Sequence, residues 1–174
     1  MPGETIDFRA VIQRLVEGEV RFVLIGGLAM VAQGAAHITL DVDISYDRSA
    51  GNLAALVSVL QSCHARLRNA PADLPFILDV RTFNNVFNLT LSTDVGDLDL
   101  LAEPAGVDSF EGLWARANEM EIFGMNVRVA ALEDLISMKR AAGRPKDKQH
   151  ILDLFDLQQF LIDEAKLDEE EGGI

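Results

Sequence analysis

The chain has 174 residues, 49% of them hydrophobic, and its 28 acids outnumber 15 Lys and Arg to give a net charge of −13. That balance argues against general DNA or RNA binding, whose affinity rests on neutralising phosphates. A single cysteine, Cys63, excludes a disulfide framework and a cysteine-based zinc site, and no run approaches the ~18 uncharged apolar residues of a membrane span. The opening MPGETIDFRA carries acids and no apolar signal core, so a cytoplasmic location is expected.

Thr5 to Val16 reads as an amphipathic helix with Ile6, Val11, Ile12, Leu15 and Val16 on its stripe and Thr5 as its cap; Gly18 ends it. Arg21 to Ile25 is the first strand, and its run Phe22-Val23-Leu24-Ile25 is β-branched and apolar and reads as buried. Gly26-Gly27 follows at once, permitting a tight turn and close approach of the backbone to a ligand. Leu28 to Gln33 then reads as a helix whose N-terminus offers free N–H groups to an anion. Leu40 to Tyr46 alternates, with Leu40, Val42 and Ile44 on one face and Asp41, Asp43 and Ser45 on the other. Residues sharing a face of a strand lie roughly 6.5–7 Å apart, so the two carboxylates can share one hard cation or flank two. A solvated strand face is the plainer reading of Asp41-Val42-Asp43 taken alone.

A second long helix, capped by Ser49 or Asn52, is expected to reach Leu67 with Leu53, Leu56, Val57 and Leu60 inward. Residues 70–85 are irregular, punctuated by Pro71 and Pro75, with a short helix at Asp79 to Asn84. Val86 to Ser92 and Asp97 to Ala102 alternate on either side of a turn and read as a hairpin. Asp97 and Asp99 share one of its faces, Leu98 and Leu100 the other. Ser109 to Asn118 is a short helix with Phe110, Leu113 and Trp114 inward, Trp114 as core. Glu121 to Phe123 and Asn126 to Val129 form a hairpin around Gly124. Ala131 to Ala142 is a helix with Glu133 and Asp134 in its first turn and Lys139 and Arg140 in its last, as the helix dipole favours. Pro145 opens a final helix to Lys166. Asp168 to Glu171 is an acidic tail expected to fray. Lys139, Arg140, Arg144, Lys146 and Lys148 form a local basic stretch on an acidic protein. His37, His64 and His150 lack ligand spacing.

Gly26-Gly27, thirteen residues, then Asp41-Val42-Asp43 resembles the signature of the nucleotidyltransferase (DNA polymerase β-like) superfamily. With Thr39 two residues ahead of Asp41, it looks most like the bacterial branch that includes AbiEii-like abortive-infection toxins. Two positions depart from that pattern: Gly27 stands where many relatives have Ser, and His37 where Arg is expected. The string Asn88-Leu-Thr-Leu followed by Gly96-Asp-Leu-Asp-Leu-Leu, and the string from Leu132 to Asp147, extend the resemblance over roughly residues 20–160. It implies an α+β fold, a mixed β-sheet flanked by helices. The core would span residues 1–130, with C-terminal helices at 131–174 packed on it in one compact domain. It implies Asp41, Asp43 and Asp99 as catalytic metal ligands, with Asp97 as the competitor for the third place. Gly26, Gly27, Lys139 and Asp147 would serve the nucleotide, with Lys139 facing its phosphates.

The implied reaction is NMP transfer from an NTP to a hydroxyl of a protein or RNA acceptor, with Mg²⁺ or Mn²⁺. A neighbour-encoded partner in a toxin–antitoxin type system is part of that expectation. Its chemistry is consistent with the residues, because three carboxylates repel a triphosphate unless divalent ions sit between. The competing reading is a non-catalytic nucleotide- or partner-binding protein on the same scaffold. Other phosphate folds fit worse: the chain has no GxxxxGK[ST], and GGLAMVAQG is not GxGxxG.

Overall fold

The structure, a computed structural model, describes residues 6–71 and 73–171. The strands are β1 (Phe22–Ile25), β2 (Val42–Tyr46), β3 (Arg66–Leu67), β4 (Asn88–Thr93), β5 (Gly96–Leu101), β6 (Asn118–Ile122) and β7 (Met125–Val129). They form one mixed sheet in the order β3-β4-β5-β2-β1-β7-β6. The helices are α1 (Phe8–Glu17), α2 (Gly26–Ala32), α3 (Ala50–Ser62), α4 (Val80–Asn85), α5 (Phe110–Arg116), α6 (Leu132–Ala142) and α7 (Asp147–Glu171). This is the expected α+β fold, a mixed sheet flanked by helices with a helical C-terminal segment. Among the described residues no helix is long and apolar enough to cross a membrane.

Register explains how the sheet serves a site. Strand β2 runs antiparallel to β1 and parallel to β5, setting Ile25 against Asp43 and Asp43 against Asp99; β4 sets Thr90 against Asp99. Thr90, Asp99, Asp43 and Ile25 therefore make one row across four strands. The period of two turns the alternate residues Leu24, Ile44, Leu98 and Leu100 the other way, and all four are buried in the core. One apolar cluster takes in the sheet, α1, α3 and the inner faces of α6 and α7, with Leu154 fully buried.

Several boundaries differ from the sequence reading. The cap assigned to Thr5 lies outside the described residues; Asp7 caps α1, accepting the Ala10 N–H at 2.9 Å. Strand β2 starts at Val42, because residues 40 and 41 form a bend, and Leu40 is turned out to solvent at 70% exposure. Helix α3 stops at Ser62 with Cys63 as its C-cap. His64 then takes the left-handed region at φ 49°, and Arg66–Leu67 leave the helix to pair with β4 as an edge strand. Sheet pairing overrides the helix propensity of Ala65-Arg66-Leu67 there. Asn52 does not cap α3. Its amide instead accepts from the Arg21 N–H and donates to the Arg21 and Asp47 carbonyls. The expected frayed tail is helix: α7 runs on to Glu171, with Asp168 and Glu169 exposed. Trp114 packs at the core's edge, and the Arg21 and Arg128 guanidinium carbons lie 4.5 and 4.7 Å from its ring centroid.

Candidate active site

A cleft of about 470 Å³ opens at the end of β2 and β5. It is lined by Asp41, Asp43 and Asp99, by Gly26 and Gly27, and by a basic group of Lys139, Arg144, Lys146, His37 and His150, with His37 lying against Gly27. The first and last of these residues are more than a hundred positions apart in the sequence; strand register brings Asp43 and Asp99 together, and α6 and α7 bring in Lys139 and His150. One oxygen from each of Asp41, Asp43 and Asp99 lies within 4.8 Å of the others. Asp97 stands one step further along β5, where its carboxylate accepts from the Ser92 hydroxyl at 2.8 Å. Asp99, not Asp97, is therefore the carboxylate that the register sets beside Asp43.

Each carboxylate is held differently. Asp41 sits in the bend before β2, where the Thr39 hydroxyl lies 3.3 Å from its Oδ1 and 3.1 Å from its backbone carbonyl. Asp43 is carried on the strand and accepts the Gly27 backbone N–H. Burial, then the negative charges of Asp41 and Asp99, push its carboxyl up to about 7. Burial raises Asp99 as well, while Arg68 opposes the rise. Crowded oxygens with too little positive charge among them are a donor set compatible with a hard divalent cation.

The glycine pair is explained by space. Gly26 has φ +66°, and a Cβ there would fall 2.2 Å from Asp43 Oδ2. At Gly27 a Cβ would fall 2.7 Å from the Thr39 side chain and 3.0 Å from His37 Cδ2. Thr39 and His37 thus close over Gly27 and leave no room there for a side chain. Replacing Gly27 by Ser should displace Thr39, and with it Asp41. We expect a loss of about 1–3 kcal/mol in stability and weaker Mn²⁺ binding. Chemical denaturation with a Mn²⁺ titration checks this; unchanged Mn²⁺ affinity would show that Thr39 does not set the position of Asp41.

The basic stretch divides into separate jobs. Lys139, at the end of α6, projects into the cleft, and Gly143, left-handed at φ 61°, turns the chain so that Arg144 and Lys146 join it. Asp147 does not line the cleft. It lies behind the wall, 1% exposed, accepting from Lys139 Nζ at 3.1 Å and from Arg144 Nε at 2.9 Å. Arg140 takes no part: its guanidinium carbon lies 4.9 Å from the Phe155 ring centroid.

Three further residues, His37 and His150 in the cleft and Arg68 beside it, carry no site role that the sequence pattern shows. His37 and His150 meet edge to face, ring centroids 4.6 Å apart, at the far end of the basic wall. Burial, then the positive charges of His150 and Lys139, hold His37 below the usual histidine range. Arg68, just past β3, reaches across β4 into the carboxylates. Its Nη1 lies 3.5 Å from Asp41 Oδ2, its Nε 3.2 Å from Asp97 Oδ2, and its Nη2 donates to Asp99 Oδ1.

Comparison with known proteins agrees on architecture. ANT(2'')-Ia in complex with adenylyl-2''-tobramycin is similar over 91% of this chain and 90% of its own, at 15% identity and a TM-score of 0.56. The lincosamide antibiotic adenylyltransferase LnuA, with lincomycin bound, is similar over 87% of this chain and 96% of its own, at 14% identity and a TM-score of 0.58. The chain has the nucleotidyltransferase fold. The sequence matches no protein-family model and no curated protein.

Proposed function

We propose that this protein is a metal-dependent nucleotidyltransferase that moves an NMP from an NTP to an acceptor hydroxyl and releases pyrophosphate. One observation carries the reading: three clustered carboxylates and a basic wall of Lys139, Arg144 and Lys146 line one cleft. A triphosphate needs both, a place for its counter-ions and fixed positive charge for its outer phosphates. The acid side alone would repel it, and the basic side alone would bind any anion.

Within this reading Asp41, Asp43 and Asp99 hold the divalent ions, which when bound neutralise the phosphates and lower the barrier to deprotonating the acceptor. Gly26 and Gly27 let the backbone approach the phosphates. Lys139 supplies a fixed charge beside them, and Arg144 and Lys146 extend it. Asp147 acts from behind as a positioning residue, holding Lys139 and Arg144 in the wall. Attack on the α-phosphorus breaks its bond to the bridging oxygen, and pyrophosphate leaves along the basic wall.

The acceptor we propose is a hydroxyl of a protein or RNA, in the manner of an AbiEii-like toxin. The fold neighbours add a small molecule to the set worth testing, since one holds adenylyl-2''-tobramycin and another holds lincomycin. Thermal stability should be followed with each NTP, with and without Mg²⁺ or Mn²⁺, on wild type and on Asp41→Asn. A ligand that binds only the folded state adds about 2.7 kcal/mol at one hundred times its Kd. We expect a metal-dependent rise for at least one NTP that is lost in the variant. No rise with any NTP would move the reading to a non-catalytic scaffold.

A further inference from the structure

The Arg68 guanidinium enters the carboxylate cluster from the β3 edge and touches two of the three groups an ion would use, Asp41 and Asp99. Its side chain is 20% exposed, so this is an enclosed contact and not a surface pairing. Beyond the hydrogen bond from Nη2 to Asp99, the bonding is poor for an arginine among acids. The contact to Asp41 is 3.5 Å long, and Nε, shut off from solvent, makes no aligned hydrogen bond although Asp97 Oδ2 lies 3.2 Å away. A well-seated arginine grips a carboxylate through two parallel bonds; Arg68 instead spreads single contacts over three.

We propose that Arg68 is a tethered counter-cation that holds Asp41 and Asp99 in the ion-free protein and gives them up when a divalent ion arrives. The inference rests on the metal-site reading above. Charge favours an exchange at Asp41, since an ion ligated there and a guanidinium on the same carboxylate would repel each other at close range. Two contacts outside the triad remain to Arg68 afterwards: Asp97, and the Leu91 carbonyl, which accepts from Nη2 at 3.3 Å. Asp97 thereby gains a role of its own. It is the acid beside the triad that keeps the displaced arginine close, fixed in turn by the Ser92 hydroxyl. The consequence is a weaker apparent affinity: ion binding must displace a cation already present, so the cleft fills at a higher ion concentration than the bare carboxylates would need.

The test is Mn²⁺ binding, read by electron paramagnetic resonance of free Mn²⁺, to wild type, Arg68→Gln and Arg68→Lys without nucleotide. Removing the competitor should tighten Mn²⁺ binding about tenfold in Arg68→Gln. Arg68→Lys, which keeps the charge but has a shorter reach, should tighten it by less and guards against loss of the fold. In EDTA the melting temperature of Arg68→Gln should fall below wild type, and saturating Mn²⁺ should close the gap. Equal or weaker Mn²⁺ binding in both variants would overturn the proposal and leave Arg68 as a positioning partner of Asp99. Absence of Mn²⁺ binding to all three proteins would overturn the metal-site reading itself.

Discussion

Asp43→Asn should sharply reduce nucleotidyl transfer and at the same time make the ion-free protein more stable at neutral and alkaline pH. Asp43 has a folded-state pKa of about 7 against 3.8 for the ordinary carboxyl, first because it is buried and then because Asp41 and Asp99 crowd it. Between those two values the folded protein keeps a proton that the unfolded chain has released. Stability therefore falls as pH rises through that window, and above it the full cost of burying the charge is present. Asparagine keeps the shape and can still accept the Gly27 N–H, but it cannot ionise. In EDTA, wild type and variant should be alike near pH 4, and the variant should lead by about 2–4 kcal/mol at pH 8. Excess Mn²⁺ should reverse the order, because only the wild type gains the ion. Turnover should fall about 10²–10³-fold or more. Chemical denaturation in EDTA across that pH range decides the matter. A variant no more stable than wild type at pH 8 would show that the cluster carries no stored charge repulsion.

That prediction depends on features of unequal legibility in the sequence. A strand's period of two shows that Asp41 and Asp43 share a face and that Asp97 and Asp99 share another, but the choice of Asp41, Asp43 and Asp99 as a set comes from the resemblance carried by Gly26-Gly27, Asp41-Val42-Asp43 and the string Gly96 to Leu101. Leu40 was misplaced by the same rule, since alternation cannot show that the chain bends before Val42. Arg68 was hidden by a different effect. It follows Ala65-Arg66-Leu67, good helix formers after a strongly apolar helix, and only pairing with β4 makes that stretch a strand end aimed at the acids. His37 and His150 were read as lacking ligand spacing, yet the folding of α7 over the cleft brings their rings to 4.6 Å. The acidic end of α7 was expected to fray because like charges gather at a helix C-terminus. Glutamate's own helix propensity runs with the extension of α7 to Glu171. Gly27 shows the reverse case: a residue that looked like an unimportant departure from Ser has its reason in Thr39, twelve positions on and only 2.7 Å from a would-be Cβ.

Asp147→Asn should cost about 3 kcal/mol in stability and weaken NTP binding without touching the metal ligands. The carboxylate is 1% exposed and accepts from Lys139 Nζ and Arg144 Nε, with the Arg144 backbone N–H at 3.3 Å. Burial opposes its ionisation, but the bonds from Arg144 and Lys139 outweigh that and hold it below the usual carboxylate range. Its contribution is therefore fully present above the ordinary carboxyl pKa and is lost as pH falls through the lowered value. The variant leaves Lys139, only 13% exposed, as an enclosed charge without its partner. Removing both partners should be milder. Lys139→Met with Asp147→Leu takes both charges out of the interior, so the double variant should recover much of the lost stability. It should not recover NTP binding, because the fixed charge in the wall is gone. Stability and NTP affinity thus part company in the double variant. If NTP affinity returned together with stability, Lys139 would be a structural partner of Asp147 and the phosphate-facing charge would have to come from Arg144 and Lys146.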